Sequence, residues 1–381
     1  MPAICLYFQV HQPYRLRRYS FFDLGFSHQY EDEGLNEEIL HRVADRCYGP
    51  ATALMERLVT DTKGKFQVAF SLSGVVMDQL KADRPEIMAS FKRLAEKKSV
   101  EFLGETYYHS LAGLYDEKEF ERQVKKHRQA LETHLGRKAT TFRNTELLFW
   151  DALGKNLPGY KGALAEGVRW HLQDATPNDI YKIPNTQRRL LLRNAHLSDD
   201  ISFRYSQHQH DVDGLLKRIA AEPGAVVNLF MDYETLGEHI EKDAGVFEFW
   251  EALVKKALEK KLKFVQPAQA LEAAEKPVKL SIPTVTSWAD QERDASAWNG
   301  NEMQRQALKR VYGLAPAIRA RNEDALWDLW GRLQTSDHFY YMSTKHSGDQ
   351  QVHDYFNPFS TPYDAYIHYM NVLSDLELRL K

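Results

Sequence analysis

Short apolar, β-branched or aromatic runs alternate with amphipathic helical patterns over roughly the first 270 residues of the chain. The runs AICLYFQV (3–10), FQVAFSLS (66–73), VEFLGETYY (100–108), ATTFRNTEL (139–147), GVRWHLQ (167–173), AVVNLFMDY (225–233) and LKFVQ (262–266) read as strands. They are apolar almost throughout rather than alternating, the pattern of parallel strands covered on both faces. Between them lie helices with ordinary end signals. Asp116 caps one in which Phe120, Val124 and Leu131 share a face, with Glu119 at the capping-box position and Gly136 after the last turn. Another starts at Pro85-Glu86 and presents Ile87, Met88, Phe91 and Leu94 to a core.

Repeated strand-then-helix order with right-handed crossovers leads to a closed barrel or an open doubly wound sheet. No Gly-x-Gly-x-x-Gly or Walker-type loop follows the first strand, which removes the usual support for nucleotide binding and favours a barrel. From about residue 290 the pattern becomes helix after helix. Ala307, Leu308, Val311 and Tyr312 form one stripe, and Leu326, Leu329, Trp330 and Leu333 another. Thr361-Pro362 opens a last helix expected to bury Tyr366, Ile367, Met370 and Leu373. The expectation is a barrel over residues 1–275 and a helical region over 276–381 that packs on the barrel mouth.

Composition narrows the partners. The 381 residues are 43% hydrophobic and 27% charged, which suits a large globular core. Fifty basic and 53 acidic side chains leave a formal charge of -3, so no global field draws nucleic acid or an anionic membrane. Cys5 and Cys47 are too few for a disulfide framework. The N-terminus enters the first strand without a signal-peptide pattern, and no apolar run reaches the roughly 18 residues of a membrane span. A cytoplasmic protein is expected.

In parallel barrels the chemistry gathers at the C-terminal ends of the strands. Here those ends carry His11-Gln12-Pro13, Gly104-Glu105-Thr106-Tyr107-Tyr108-His109, Arg143-Asn144-Thr145-Glu146 and Asp232-Tyr233-Glu234. A single carboxylate at such a place is most often a helix cap or a solvated loop residue. Four strand ends with acids or histidine beside aromatics point to a shared site. Facing carboxylates with aromatic neighbours and no cysteine cage suit glycoside hydrolysis, in which one acts on the anomeric carbon and the other protonates the leaving oxygen.

These four regions, HQP, GETYYH, FRNTELLFW and FMDYETLGEH, together with TSDHFYYM (335–342), resemble in order and spacing the signature regions of glycoside hydrolase family 57, closest to its α-amylase-type branch. The resemblance implies an incomplete (β/α)7 barrel followed by a C-terminal helical bundle, and retaining action on α-glucans. It implies that Glu146 is the nucleophile and Asp232 the general acid and then base. It also implies that His11, Glu105, Glu234 and Asp337 hold sugar hydroxyls or organise the catalytic pair. Glu234, two residues after Asp232, is expected to point the same way and to help keep that acid protonated. Asp337 is expected to bring the helical tail over the barrel mouth. One departure is Gln9, where many members carry histidine.

Further candidates are weighed on their residues alone. Trp288 is taken as a sugar contact from its context SWADQERD, and Trp298 as a residue seating the tail. Arg143 either orients Glu146 or pairs with a nearby acid. His208 and His210 alternate and, with Asp211, form the one metal candidate, short of the three or four convergent ligands a site needs. No cofactor is expected, and Glu238 and His239 receive no role. The leading expectation is cleavage of α-1,4-glucosidic bonds in maltooligosaccharides, starch or glycogen. The alternatives are 4-α-glucan transfer or branching by the same machinery, a metal-dependent polysaccharide deacetylase, and a non-catalytic glucan-binding protein.

Overall fold

Seven strands of the expected parallel kind are present in the computed structural model, which describes residues 1–172, 174–208, 211–345 and 355–381. They are β1 (Ala3–Val10), β2 (Val68–Leu72), β3 (Val100–Phe102), β4 (Thr141–Arg143), β5 (Gly162–Glu166), β6 (Arg189–Arg193) and β7 (Val226–Asp232). One parallel sheet runs β3-β2-β1-β7, with Tyr7 opposite Ala69 and Gln9 opposite Asp232. A second contains β6-β5-β4 in parallel, extended beyond β6 by the two-residue strands Tyr181–Lys182, antiparallel to it, and Val278–Lys279. The sheets touch on both sides. Gly104 after β3 bridges to Phe142 in β4, and the Asn194 amide after β6 donates to the Asn228 carbonyl in β7 at 2.9 Å. Gly104 is required at its junction because a Cβ there would lie 2.1 Å from the Tyr160 hydroxyl. The fold is α/β, with parallel sheets and covering helices.

Two of the strand expectations need correction. Residues 167–172 do not form a strand; Arg169–Leu172 is a short helix, and Gln173 lies outside the described residues. The strands of that region are GALAE and RLLLR, which lack β-branched and aromatic residues. Small residues are dictated by packing: a Cβ on Gly162 would meet the Arg189 carbonyl at 2.4 Å and Leu271 at 2.8 Å. The stretch 262–266 contributes only a bridge from Phe264 to Ile4.

The helices follow their end signals. Glu117–Leu135 starts with the Asp116 side chain accepting from the Glu119 amide and stops at Gly136 with φ 66°. Pro85–Ala95 buries Ile87, Met88, Phe91 and Leu94. In the tail, Glu302–Gly313 and Asp324–Arg332 bury the expected stripes except for a partly buried Leu329. The last helix, Pro362–Leu380, is capped by Thr361 but buries Ala365, Tyr369, Val372, Leu373 and Leu376, leaving Ile367 exposed. Its turn about its axis is set by neighbours: His368 Nδ1 and Asn371 both reach the Tyr19 carbonyl, and Arg310 pairs with Glu377 at 2.7 Å. No helix among the described residues is long and apolar enough to cross a membrane.

Two chain crossings build the mouth. Phe149 exchanges backbone hydrogen bonds with Thr286, which carries Trp288 to the end of β4. The Ser336 amide donates to the His109 carbonyl at 2.9 Å, and the Thr335 hydroxyl to that of Tyr108, which lays the tail across the end of β3.

Candidate active site

A cleft of about 770 Å³ opens at the C-terminal ends of the strands. His11, Glu146, Asp232, Glu234, Trp288 and Asp337 all line it. Glu105 does not. Its side chain is wholly buried against His109, so of the two roles expected for it, holding sugar hydroxyls or organising the catalytic pair, its position suits the second.

At the end of β4 the chain leaves extended geometry abruptly. Thr145–Leu147 forms a single 3-10 turn in which Glu146 and Leu147 hold φ of 55° and 51°, a left-handed conformation that side-chain-bearing residues seldom adopt. The turn aims the Glu146 carboxylate into the cleft, where different donors reach its two oxygens. His109 Nε2 lies 3.1 Å from Oε1 and Trp288 Nε1 2.7 Å from Oε2, with the Ser336 hydroxyl 3.5 Å from Oε1. The Ser287 hydroxyl also donates to the Glu146 carbonyl at 2.9 Å. Trp288 is thus first a donor to this carboxylate. Its ring is faced by cations, with the Arg143 guanidinium 4.8 Å and that of Arg193 5.8 Å from the centroid. Arg193 is fixed in turn by Glu166 at 3.1 Å and Asp199 at 2.5 Å. Among the described residues the buried Arg143 guanidinium has no protein hydrogen-bond partner; it faces the Trp288 ring that donates to Glu146, and its charge acts on Glu105.

The end of β3 supplies His109, which has φ 51° and which the sequence reading left unassigned. Its Nδ1 lies 3.1 Å from Glu105 Oε2. Burial pulls the imidazole toward neutrality, but hydrogen bonds to Glu105 and Glu146, and their charges, outweigh it and raise its pKa to about 9. Burial would likewise raise Glu105, but His109 holds its carboxyl below the usual value, helped by the charges of His127 and Arg143. The only sequence signal for His109 is the Glu105-x-x-x-His109 spacing inside GETYYH.

His11, at the end of β1, stacks on His109 with centroids 4.0 Å apart and planes at 21°. Its Nδ1 lies 2.7 Å from the Ser73 hydroxyl and its Nε2 3.1 Å from Asp337 Oδ2. Burial and then the charge of His109 lower its pKa despite Asp337. The tail therefore reaches the mouth through Asp337, as expected. Gln9 is buried beneath, its Oε1 accepting from the Tyr7 and Ser71 hydroxyls at 2.9 Å each.

Strand β7 ends at Asp232, and Tyr233–Thr235 is a 3-10 turn, so simple strand alternation does not carry through to Glu234. Both carboxylates still line the cleft. Glu234 accepts a short hydrogen bond from the Tyr48 hydroxyl. Burial, and then the charge of Asp232, push it up to about 8 against the hydrogen bonds of Tyr48 and Gln12. Burial and the like-charged neighbour thus disfavour ionisation of Glu234 and Asp232 together. Glu238 pairs with Arg42 at 3.0 Å, and His239 meets the Phe356 ring edge-on; both line the cleft. Trp298 is buried against Tyr340 in the helical region.

Of the metal candidate, Gln209, His210 and the His208 side chain lie outside the described residues. Asp211 caps the helix Val212–Ala221. Among the described residues no three His, Cys, Asp or Glu side chains converge as a metal ion would require.

Residues 5–283 match the family described as Glycosyl hydrolase family 57. The chain belongs to glycosyl hydrolase family 57. A curated relative from Methanocaldococcus jannaschii, described as "Putative alpha-amylase", is 36% identical over 395 residues, covering 98% of this chain and 84% of the relative. Among solved structures, a branching enzyme of the family from Thermococcus kodakaraensis superposes with a TM-score of 0.69 at 13% identity, over 93% of this chain and 88% of that one. A 4-alpha-glucanotransferase from Thermococcus litoralis gives 0.66 at 13% identity over 89% of this chain. This family 57 chain spans 56% of the length of that transferase. At such identities the likeness concerns the fold alone.

Proposed function

We propose that this family 57 chain is a retaining glycosidase that cleaves α-1,4-glucosidic bonds in α-glucans such as maltooligosaccharides, starch or glycogen. A carboxylate oxygen of Glu146 attacks the anomeric carbon while Asp232 gives its proton to the departing glycosidic oxygen. Asp232 then takes a proton from water as that water attacks the glycosyl ester on Glu146, restoring both groups. The observation that carries this reading is the Glu146 carboxylate, presented by a strained turn and held through both oxygens in the cleft that Asp232 also lines. Glu234 supports the acid half, because burial and the charge of Asp232 keep a proton within the pair at neutral pH. His11, Glu234 and Asp337 are the residues we assign to sugar hydroxyls.

The framework for this chemistry is read as one incomplete (β/α)7 barrel, residues 1–275, formed by β1 to β7 and joined at Gly104–Phe142 and Asn194–Asn228. The second part, residues 276–381, is read from its described residues as the helical region on that mouth. Trp288 and Asp337 come from that second part, so the site needs both.

Transfer to a glucan hydroxyl in place of water is the second reading, favoured by the branching and transferase activities named for the two structural neighbours. It uses the same ester on Glu146. Incubation with maltoheptaose followed by NMR tests both readings. Hydrolysis with retention yields the α-anomer first, and transfer yields products longer than the substrate. A β-anomer appearing first, or near-normal activity in Glu146→Gln or Asp232→Asn, contradicts the assignment.

A further inference from the structure

Among the described ionisable side chains that touch Glu146, His109 is one the proposed chemistry leaves without a task. Its two ring nitrogens face two different carboxylates, Glu105 through Nδ1 and Glu146 through Nε2, each at 3.1 Å. A neutral imidazole has one donor and one acceptor, so one nitrogen would then turn a lone pair toward a carboxylate oxygen. Only the imidazolium donates on both sides. We propose that His109 is a positioning residue for the nucleophile: a doubly donating imidazolium that holds Glu146 as an oriented carboxylate and is itself locked by Glu105. This rests on the reading of Glu146 as nucleophile.

Charge bookkeeping supports the arrangement. With His109 protonated, the buried set Glu105, His109 and Glu146 carries one net negative charge, and formation of the glycosyl ester brings it to zero. With His109 neutral the same buried set would carry two negative charges with no cation inside it, a costly state in a low-dielectric interior. The groups facing His109 agree on which ring holds the charge. His11, stacked on it at 4.0 Å, has one carboxylate partner, Asp337, against two for His109, and is driven toward neutrality by burial and by His109 itself. His127 faces Glu105 from the neighbouring helix, its Nδ1 accepting from the Glu105 amide at 3.2 Å, and is lowered by burial. Arg143 adds positive charge that acts on Glu105. The pKa of about 9 for His109 fits this placement.

Backbone geometry shows a built clamp. The left-handed φ of 51° swings the ring back between the two acids, and the amide of Ser336 holds the His109 carbonyl at 2.9 Å. The tail segment that carries Asp337 to His11 therefore also fixes His109.

The test uses His109→Asn and His109→Gly, both compatible with positive φ, and Glu105→Gln in the full chain. On maltoheptaose at pH 6, kcat should fall about 100-fold in His109→Asn, as for loss of a preorganised donor, with KM changed about threefold or less. Loss of the cation makes protonation of the facing carboxylate easier, so the acid limb of the kcat/KM profile should move up by about one pH unit. Added imidazole should restore activity to His109→Gly. In Glu105→Gln the titration of the His109 ring, followed by NMR of its imidazole, should move down from the region of pH 9 toward the ordinary histidine range. A folded His109→Asn with an unmoved acid limb reduces His109 to a packing role and overturns the clamp, as does an unmoved His109 titration in Glu105→Gln. If His109→Asn does not fold, imidazole rescue and the Glu105→Gln titration decide. Glu146→Gln separates the two claims: if it stays active the nucleophile reading falls, whereas an inactive Glu146→Gln beside an unmoved acid limb or titration sinks the clamp alone.

Discussion

The ends of β4 and β7 both present carboxylates to one cleft, yet they are built oppositely. At β4, Glu146 is surrounded by donors and positive charge: His109, Trp288, and behind the indole Arg143 and Arg193. At β7, Glu234 is buried beside another acid with a tyrosine and a glutamine as its donors, and is pushed up to about 8. One end favours a negative oxygen and the other favours keeping a proton. Two carboxylates of the same chemistry acquire different tasks from what surrounds them.

The hardest test of that division is removal of its principal members. Glu146→Gln and Asp232→Asn should each lose roughly 10³-fold or more in kcat/KM on maltoheptaose, since each abolishes a chemical step rather than a contact. Near-normal rates in either would erase the contrast between the two ends. Trp288→Phe keeps the ring and removes the donor to Glu146 Oε2, and kcat should drop about 100-fold. A change confined to KM would instead return Trp288 to the sugar-contact role expected from sequence.

Glu234→Gln examines the proton-holding end through stability. Because folding raises this carboxyl, the folded chain binds its proton more tightly than the unfolded chain. Its contribution is full below the ordinary carboxylate range and is lost as pH rises through about 8. The unfolding free energy of the wild type should therefore fall between pH 5 and 8 by about 3 kcal/mol more than that of Glu234→Gln. Parallel curves would remove the proton from Glu234. The smallest effect is expected at a third buried carboxylate, Asp375, which accepts from the Gly25 amide at 2.7 Å, from His28 Nδ1 at 2.7 Å and from the Tyr30 hydroxyl, away from the cleft. Asp375→Asn should cost about 1–3 kcal/mol in thermal unfolding and leave kcat/KM unchanged. An activity loss there would mean that burial of a carboxylate, rather than its setting, underlies the comparison.

The same contrast marks what could be read from the sequence. The strand-end census found Glu146, Asp232 and Glu234, because apolar runs that stop abruptly at charge are visible in one dimension. The caps at Asp116 and Thr361 were legible for the same reason, being local chemistry of a few neighbouring residues. His109 was visible as a letter but not as a bridge, since its role depends on a left-handed backbone and on a partner 37 positions away. The hydrogen bond from Trp288 to Glu146 is not legible in the sequence, because the Phe149–Thr286 pairing that delivers it is long-range. GALAE and RLLLR are not legible as strands because they lack the β-branched and aromatic residues that usually signal one, and in GALAE close packing at Gly162 excludes a side chain. The burial that pushes Glu234 up is not legible in the sequence, because it is built by long-range packing rather than by the residues beside it in the chain.

The central claim is that Glu146 bonds covalently to the sugar. Incubating the enzyme with a slow fluorinated α-maltosyl fluoride, digesting it and sequencing the labelled peptide by mass spectrometry tests this directly. The account predicts a single glycosyl adduct on Glu146 that disappears when maltose is added as acceptor. An adduct on another residue, or turnover of the reagent without any adduct, would contradict it.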